Sequence, residues 1–173
     1  MKKLLVTKNS TCLQPLAELI QKQSHKTLVL WSIECAEHVL PIFEEKYPLD
    51  VRPRKAVEAA KTWAHGEIKM PEAKRAAHSA HSAATEVVED NAAACAAARA
   101  AGHVVGIVHV ATHAMGFIMY AVTAFIYAAD AANDPDDVTA KECQWLYLRL
   151  QYWESNIGKV NDPWASFLSK GIL

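Results

Sequence analysis

Residues 102–129 read GHVVGIVHVATHAMGFIMYAVTAFIYAA and contain no Lys, Arg, Asp or Glu. The stretch is longer than the roughly 20 apolar residues with which a helix crosses a bilayer. It therefore poses a choice between a membrane span and the central helix of a bundle, apolar all round because other helices surround it. Several features weigh against the span. His103, His109 and His113 interrupt the run, small residues outnumber bulky ones, and Arg99 and Asp130 flank it without the basic bias that orients a span. Gly102 and Gly106 form a GxxxG pair, with Gly116 farther along, and such spacing lets helix axes approach closely. The expectation is a buried central helix running to about Ala132, in a soluble protein with no membrane partner.

Outward from this stretch, the punctuation is that of helices. Ser10 or Thr11 can cap a first helix reaching about Gln23. A second runs from about His25 to Glu45, with Leu28, Trp31, Cys35, Val39, Ile42 and Phe43 at three-and-four spacing and a kink expected at Pro41. Pro53 and Pro71 sit where proline opens a helix. The helix after Pro53 should end near Gly66, and the one after Pro71 should continue to Ala101, bent around Asp90 and Asn91. Asp134, Pro135, Asp136 and Asp137 cap and charge the start of another, favourable at the positive end of a helix dipole. Asn161, Asp162 and Pro163 begin a last short one. No window alternates with period two for long enough to make a convincing strand. The fold class is all-α: an alanine-rich helical bundle of six or seven helices with a buried central helix, residues 1–173 forming one domain. Alanine suits that arrangement, having the best helix propensity and a side chain small enough for close packing.

Composition narrows the function. A net charge of -1 offers no field suited to a phosphate backbone, so nucleic acid is excluded as the main partner. Cys12, Cys35, Cys95 and Cys143 are scattered without CxxC or metal-finger spacing and read as reduced, small hydrophobes in a cytoplasmic protein. In the N-terminal stretch Met1 to Cys12, Lys2 and Lys3 precede Leu4, Leu5 and Val6, but Thr7, Lys8 and Asn9 interrupt the apolar run too soon for a signal peptide. No GxSxG, phosphate-cradling loop or HExxH appears, so no catalytic, metal or cofactor-binding residue is assigned and no cofactor is expected. His109 and His113, four apart, and His78 and His81, three apart, could each offer two nitrogens to one ion, but no third and fourth ligand is evident. The pairs are read as satisfied core or surface histidines, His109 and His113 being expected to be buried and hydrogen-bonded to hydroxyls or backbone carbonyls. Arg54 could pair with Glu58 across one turn.

Four blocks occur in order: WSIECAEHVLPIFE at 31–44, RPRKAVEAAKTWAHGEI at 52–68, AAHSAHSAA at 76–84 and AGHVVGIVHVATHAMG at 101–116. Together they make the chain resemble a bacterial family of immunity proteins of polymorphic toxin systems, small, helical and alanine-rich. The resemblance implies a cytoplasmic, non-enzymatic protein that binds and neutralises a cognate toxin by stoichiometric occlusion. It supplies no site residue. From the residues themselves, the acidic side of the second helix, Glu34, Glu37 and Glu44, is the candidate protein-binding face, suited to a basic toxin. The alternative is a metal-binding or enzymatic bundle built on His103, His109 and His113. Charge-free helix faces could also serve a homodimer.

Overall fold

The computed structural model describes residues 3–169. It is all-α, and no strand occurs among the described residues. The α-helical segments are α1 (Gln14–Ile20), α2 (His25–Val39), α3 (Pro41–Glu44), α4 (Arg52–His65), α5 (Met70–Glu86), α6 (Ala92–His109), α7 (Ala114–Ala128), α8 (Pro135–Asn156) and α9 (Ser166–Ser169). Short 3-10 turns at Thr11–Leu13, Ala111–His113 and Ile157–Lys159 precede α1, precede α7 and follow α8. The expected six or seven helices undercount these nine segments for two reasons. Pro41 cannot donate a backbone hydrogen bond, and it divides one expected helix into α2 and α3. Residues 71–132, read as two helices, form three.

The second difference comes from two breaks, one at the polar residues Glu89, Asp90 and Asn91 and one within apolar sequence at Val110. Glu86 ends α5, and Asn91 then starts α6 as its N-cap, its side chain accepting the Ala94 N–H at 2.8 Å. Downstream, Val110 adopts an extended conformation, φ -145° and ψ 121°, and ends α6. The 28-residue reading frame of the uncharged stretch is thus folded back on itself, and Gly102 lies inside α6 instead of before a helix.

α6 is the axis of the fold. It packs against α2, α3, α4, α5 and α7. Ala93–Ala98, Ala100, Ala101, Val104, Val105, Ile107 and Val108 are all buried, so almost every face of the helix is covered. Methyl side chains let five neighbours reach it, and bulk comes from those neighbours. Trp31, Phe43, Phe117, Leu28, Leu40 and Ile118 are fully buried around it. Trp31 meets Phe117 edge to face at 5.9 Å, and its indole N–H donates to the Leu146 carbonyl at 3.0 Å, which ties α2 to α8. The expected buried central helix is therefore α6, not the whole of residues 102–129. α6 and the segment Ala111–Ala128 are each long and apolar enough to cross a membrane. Within the fold 72% of the first is buried, but 39% of the second.

Proline and glycine act as the sequence predicts at the flanks. Pro53, Pro71 and Pro135 lie in the first turns of α4, α5 and α8, and Asp134 caps α8 by accepting the Asp136 N–H at 2.9 Å. Gly66 ends α4 in the left-handed region at φ 83°. A Cβ there would also lie 3.4 Å from the backbone of Ala165, whose N–H donates to the Ala64 carbonyl at 2.7 Å. The segment after α8 is thereby strapped across the end of α4. The last helix begins at Ser166, later than the Asn161–Pro163 start predicted from sequence.

At Gly106 an added Cβ would lie 3.0 Å from Cγ of His113, near the root of a ring that cannot swing aside freely, whereas Gly158 has nothing within 4 Å. Gly106→Leu should lower stability by about 1–3 kcal/mol through overpacking, and Gly158→Ala should change it little. Thermal unfolding of the two variants checks this. An unchanged midpoint for Gly106→Leu would show that Gly106 faces open space.

Candidate functional site

Where α6 is not covered by alanine packing, its residual stripe carries Arg99, His103 and Gly106, at i, i+4 and i+7. Beside this stripe lies a cavity of about 290 Å³ lined by Trp63 of α4, Met70, Lys74, Ala77, His78 and His81 of α5, Gly102, His103, Val105, Gly106 and His109 of α6, and His113 of the following turn. Five imidazoles from three elements thus share one space. His109 and His113 do not occupy one helical face as their spacing predicts, because Val110 separates their elements; the fold-back brings both to the same cavity. The pair His78 and His81 joins them because α5 packs directly on α6.

The glycines explain how rings fit between close helices. A Cβ on Gly102 would lie 2.6 Å from the His81 ring, one on Gly106 3.0 Å from His113, and one on Gly116 3.1 Å from His103. Each glycine makes the notch that one imidazole occupies. His103 is ringed by aromatic contacts: His81 at 5.6 Å, His113 at 6.2 Å and Tyr120 stacked at 5.1 Å. Trp63 lies parallel to His109 at 6.1 Å. The sequence reading expects His109 and His113 to be buried and bonded to hydroxyls or carbonyls; both are instead exposed at the edge of the cavity, because Val110 ends α6 beside them, and they make ring contacts with Trp63 and His103. His103 is half-buried and stacks on Tyr120, and His81 Nδ1 is buried without a partner. The histidine that does bond a carbonyl is His25, whose Nε2 lies 2.6 Å from the Ile107 oxygen. Sequence spacing gives no hint of that pair.

Burial and basic neighbours lower the pKa of two of the rings, His81 and His103. His103 is held at a pKa of about 4 by burial first, then by His81, His113 and Arg99. His81 is lowered by burial, then by Arg99 and His78. Among the described residues no group of three His, Cys, Asp or Glu side chains is arranged to hold a metal ion.

The acidic candidates lie elsewhere, and each is engaged by its own chain. Glu34 accepts the Trp153 indole N–H at 2.6 Å and an Arg149 N–H at 2.7 Å. Glu37 pairs with Lys61. Glu44 takes Arg54 in a two-point contact at 2.8 and 2.7 Å, so the pairing of Arg54 with Glu58 predicted across one turn yields to a better geometry between helices. Arg52 bridges Asp50 and Glu86. Sequence reasoning also misses His38, which stacks on Trp145 at 4.0 Å and lies 3.2 Å from Glu142 of α8, a carboxylate only 7% exposed. Of the cysteines, Cys35, Cys95 and Cys143 are buried thiols and Cys12 is half-buried. Burial, followed by the Cys12 thiol, pushes Cys143 up to about 12.

The depressed histidines set a pH dependence. An unfolded His103 takes up its proton near pH 6.5, but the folded one does so only near 4. The stability this neutral ring contributes is present above about pH 6.5 and is lost as pH falls toward 4. The unfolding midpoint should fall between pH 7 and pH 5, and the fall should shrink in His103→Asn. Equal slopes in the two proteins would contradict the assignment.

Comparison with known proteins places this scaffold. The family model described as "Imm-5 like putative immunity protein" matches residues 18–152, a span that contains α2 to α7, the histidine cavity and most of α8. Neither a curated protein nor a solved structure matches the chain. With more than three quarters of its length matched, the chain belongs to the Imm-5 like immunity protein family.

Proposed function

We propose that this chain is a cytoplasmic immunity protein that binds a cognate toxin and neutralises it by stoichiometric occlusion, without turnover and without a cofactor. The observation that carries the reading is the family match across residues 18–152. The surface chemistry supports a binding role. On α8, Leu148 and Tyr152 are 52% and 45% exposed, four residues apart on one face, and the Arg149 guanidinium lies over the Tyr152 ring at 4.2 Å. Arg149 in turn holds Glu34. Tyrosine and arginine side chains ordered before association are the residues that most often anchor protein interfaces, because little rotamer entropy remains to be lost.

The toxin-facing surface we infer is this face of α8 together with Glu34, Glu37 and Glu44. Since those carboxylates are already paired with Arg149, Lys61 and Arg54, the face presents alternating charge. Such a pattern fixes register with a complementary partner more than it attracts a uniformly basic one.

Two measurements test this. Survival of cells carrying the cognate toxin should track the ratio of this protein to toxin, with the two recovered as a stable complex. Protection at strongly substoichiometric levels without a complex would favour an enzyme acting on the toxin or its product. In the second, Tyr152→Ala should weaken toxin binding at least tenfold while leaving the unfolding midpoint within about 1 °C, as expected for an exposed interface anchor. The paired reversal Glu37→Lys with Glu44→Lys should weaken binding too, at a stability cost of about 0–1 kcal/mol per exposed ion pair. Undiminished binding in both variants would exclude this surface.

A further inference from the structure

We infer that the histidine cavity between α4, α5, α6 and the turn Ala111–His113 is a binding site for a small planar organic anion of the aromatic-carboxylate class. The inference stands apart from toxin binding and uses none of the α8 surface.

The first observation is a space left beside filled notches. Gly102 and Gly106 seat the His81 and His113 rings against α6, and both glycines border the cavity that remains next to those rings. The space is about 290 Å³, at the small end of ligand pockets, which run from about 300 to 1,000 Å³. It has room for one substituted aromatic ring.

The second is an unmet polar group. His81 Nδ1 is buried and makes no hydrogen bond, although a buried polar atom left alone costs the full desolvation of that group. As an N–H donor in one tautomer, it would be satisfied by a carboxylate oxygen entering the cavity.

Charge identifies the ligand. The ionisable groups of the lining are Lys74, His78, His81, His103, His109 and His113, and Arg99 acts on His81 and His103 from the same stripe of α6. Among the described residues no carboxylate lines the cavity. Glu86, at an adjoining cleft, is held by Arg52. Among the described residues neither Lys74 nor Arg99 has an ion-pair partner. A carboxylate would supply the missing counter-charge, with exposed Lys74 meeting it from the α5 side. The remaining walls are flat or apolar, with Trp63, the imidazole faces, Val105, Met70 and Ala77, and they suit a ring that stacks.

The test is titration of the isolated full chain with benzoate and with its neutral isostere benzamide, followed by calorimetry and by the imidazole Cε1–H resonances. Benzoate is expected to bind one to one and to shift His81, His103 and His113 while leaving His25 and His65 unmoved, with benzamide at least tenfold weaker. Lys74→Gln, an exposed change that should leave the unfolding midpoint alone, should weaken benzoate at least threefold and leave benzamide unchanged. His81→Phe should abolish the preference for the anion. Equal affinity for the two probes, shifts confined to histidines outside the cavity, or no saturable binding would each overturn the inference. So would stoichiometric Zn2+ uptake by the same three imidazoles with displacement of benzoate. No toxin is present in the experiment, so failure here leaves the immunity reading intact, and failure to find a toxin complex leaves this one intact.

Discussion

The structure depends on burying one helix on nearly all sides. A helix whose surface is methyl groups can be approached closely by several others at once, and α6 is approached by five. That closeness has a consequence for polar side chains. An imidazole cannot enter between such helices unless a backbone makes room, and at Gly102, Gly106 and Gly116 it does. The glycine notches and the histidines are thus one feature. The alanine packing fixes the helix positions, the notches admit the rings, and burial among cationic neighbours holds His81 and His103 neutral. A small amount of space remains where the notches meet.

How much of this was legible follows from which signals are local. Prolines at first turns, Asp134 as a cap and Gly66 as a left-handed terminus are read directly, because each acts within one turn of helix. The all-α class follows from them and from the lack of alternation. The break at Val110 was not legible. It contains no glycine or proline, and apolar residues lie on both sides, so the periodicity carries no polar marker to lose phase. Reading through it made one central helix of two. Asn91 reads as a bend in sequence, since no glycine or proline separates Glu86 from the alanine run that follows, whereas in the structure it is the N-cap of α6.

The candidate site was legible as fragments. The pairs His78 with His81 and His109 with His113 stand out by spacing, yet what joins them is the packing of α5 on α6, which no spacing encodes. Partners that lie far apart in sequence were equally hidden: His25 with Ile107, His38 with Glu142, and Arg149 with Glu34. The acidic residues singled out from sequence are where they were expected on α2 and α3, but intramolecular cations change what they offer. The face they form is mixed, continuous in charge with Arg149 and its exposed neighbour Tyr152. The family match covers the scaffold through residue 152 and leaves out the strap that binds Ala64 through Ala165.

Amide hydrogen exchange across residues 92–128 tests the central claim most directly, since amides in the most enclosed helix open only with global unfolding. Buried α6 should retain the slowest amides of the chain, those of residues 96–108. The amides of Ala111 and Thr112, at the fold-back between α6 and α7, should exchange several orders of magnitude faster. Unbroken protection from residue 102 through residue 128 would mean a single continuous helix, and with it the fold-back, the glycine notches and the shared histidine cavity would all fall.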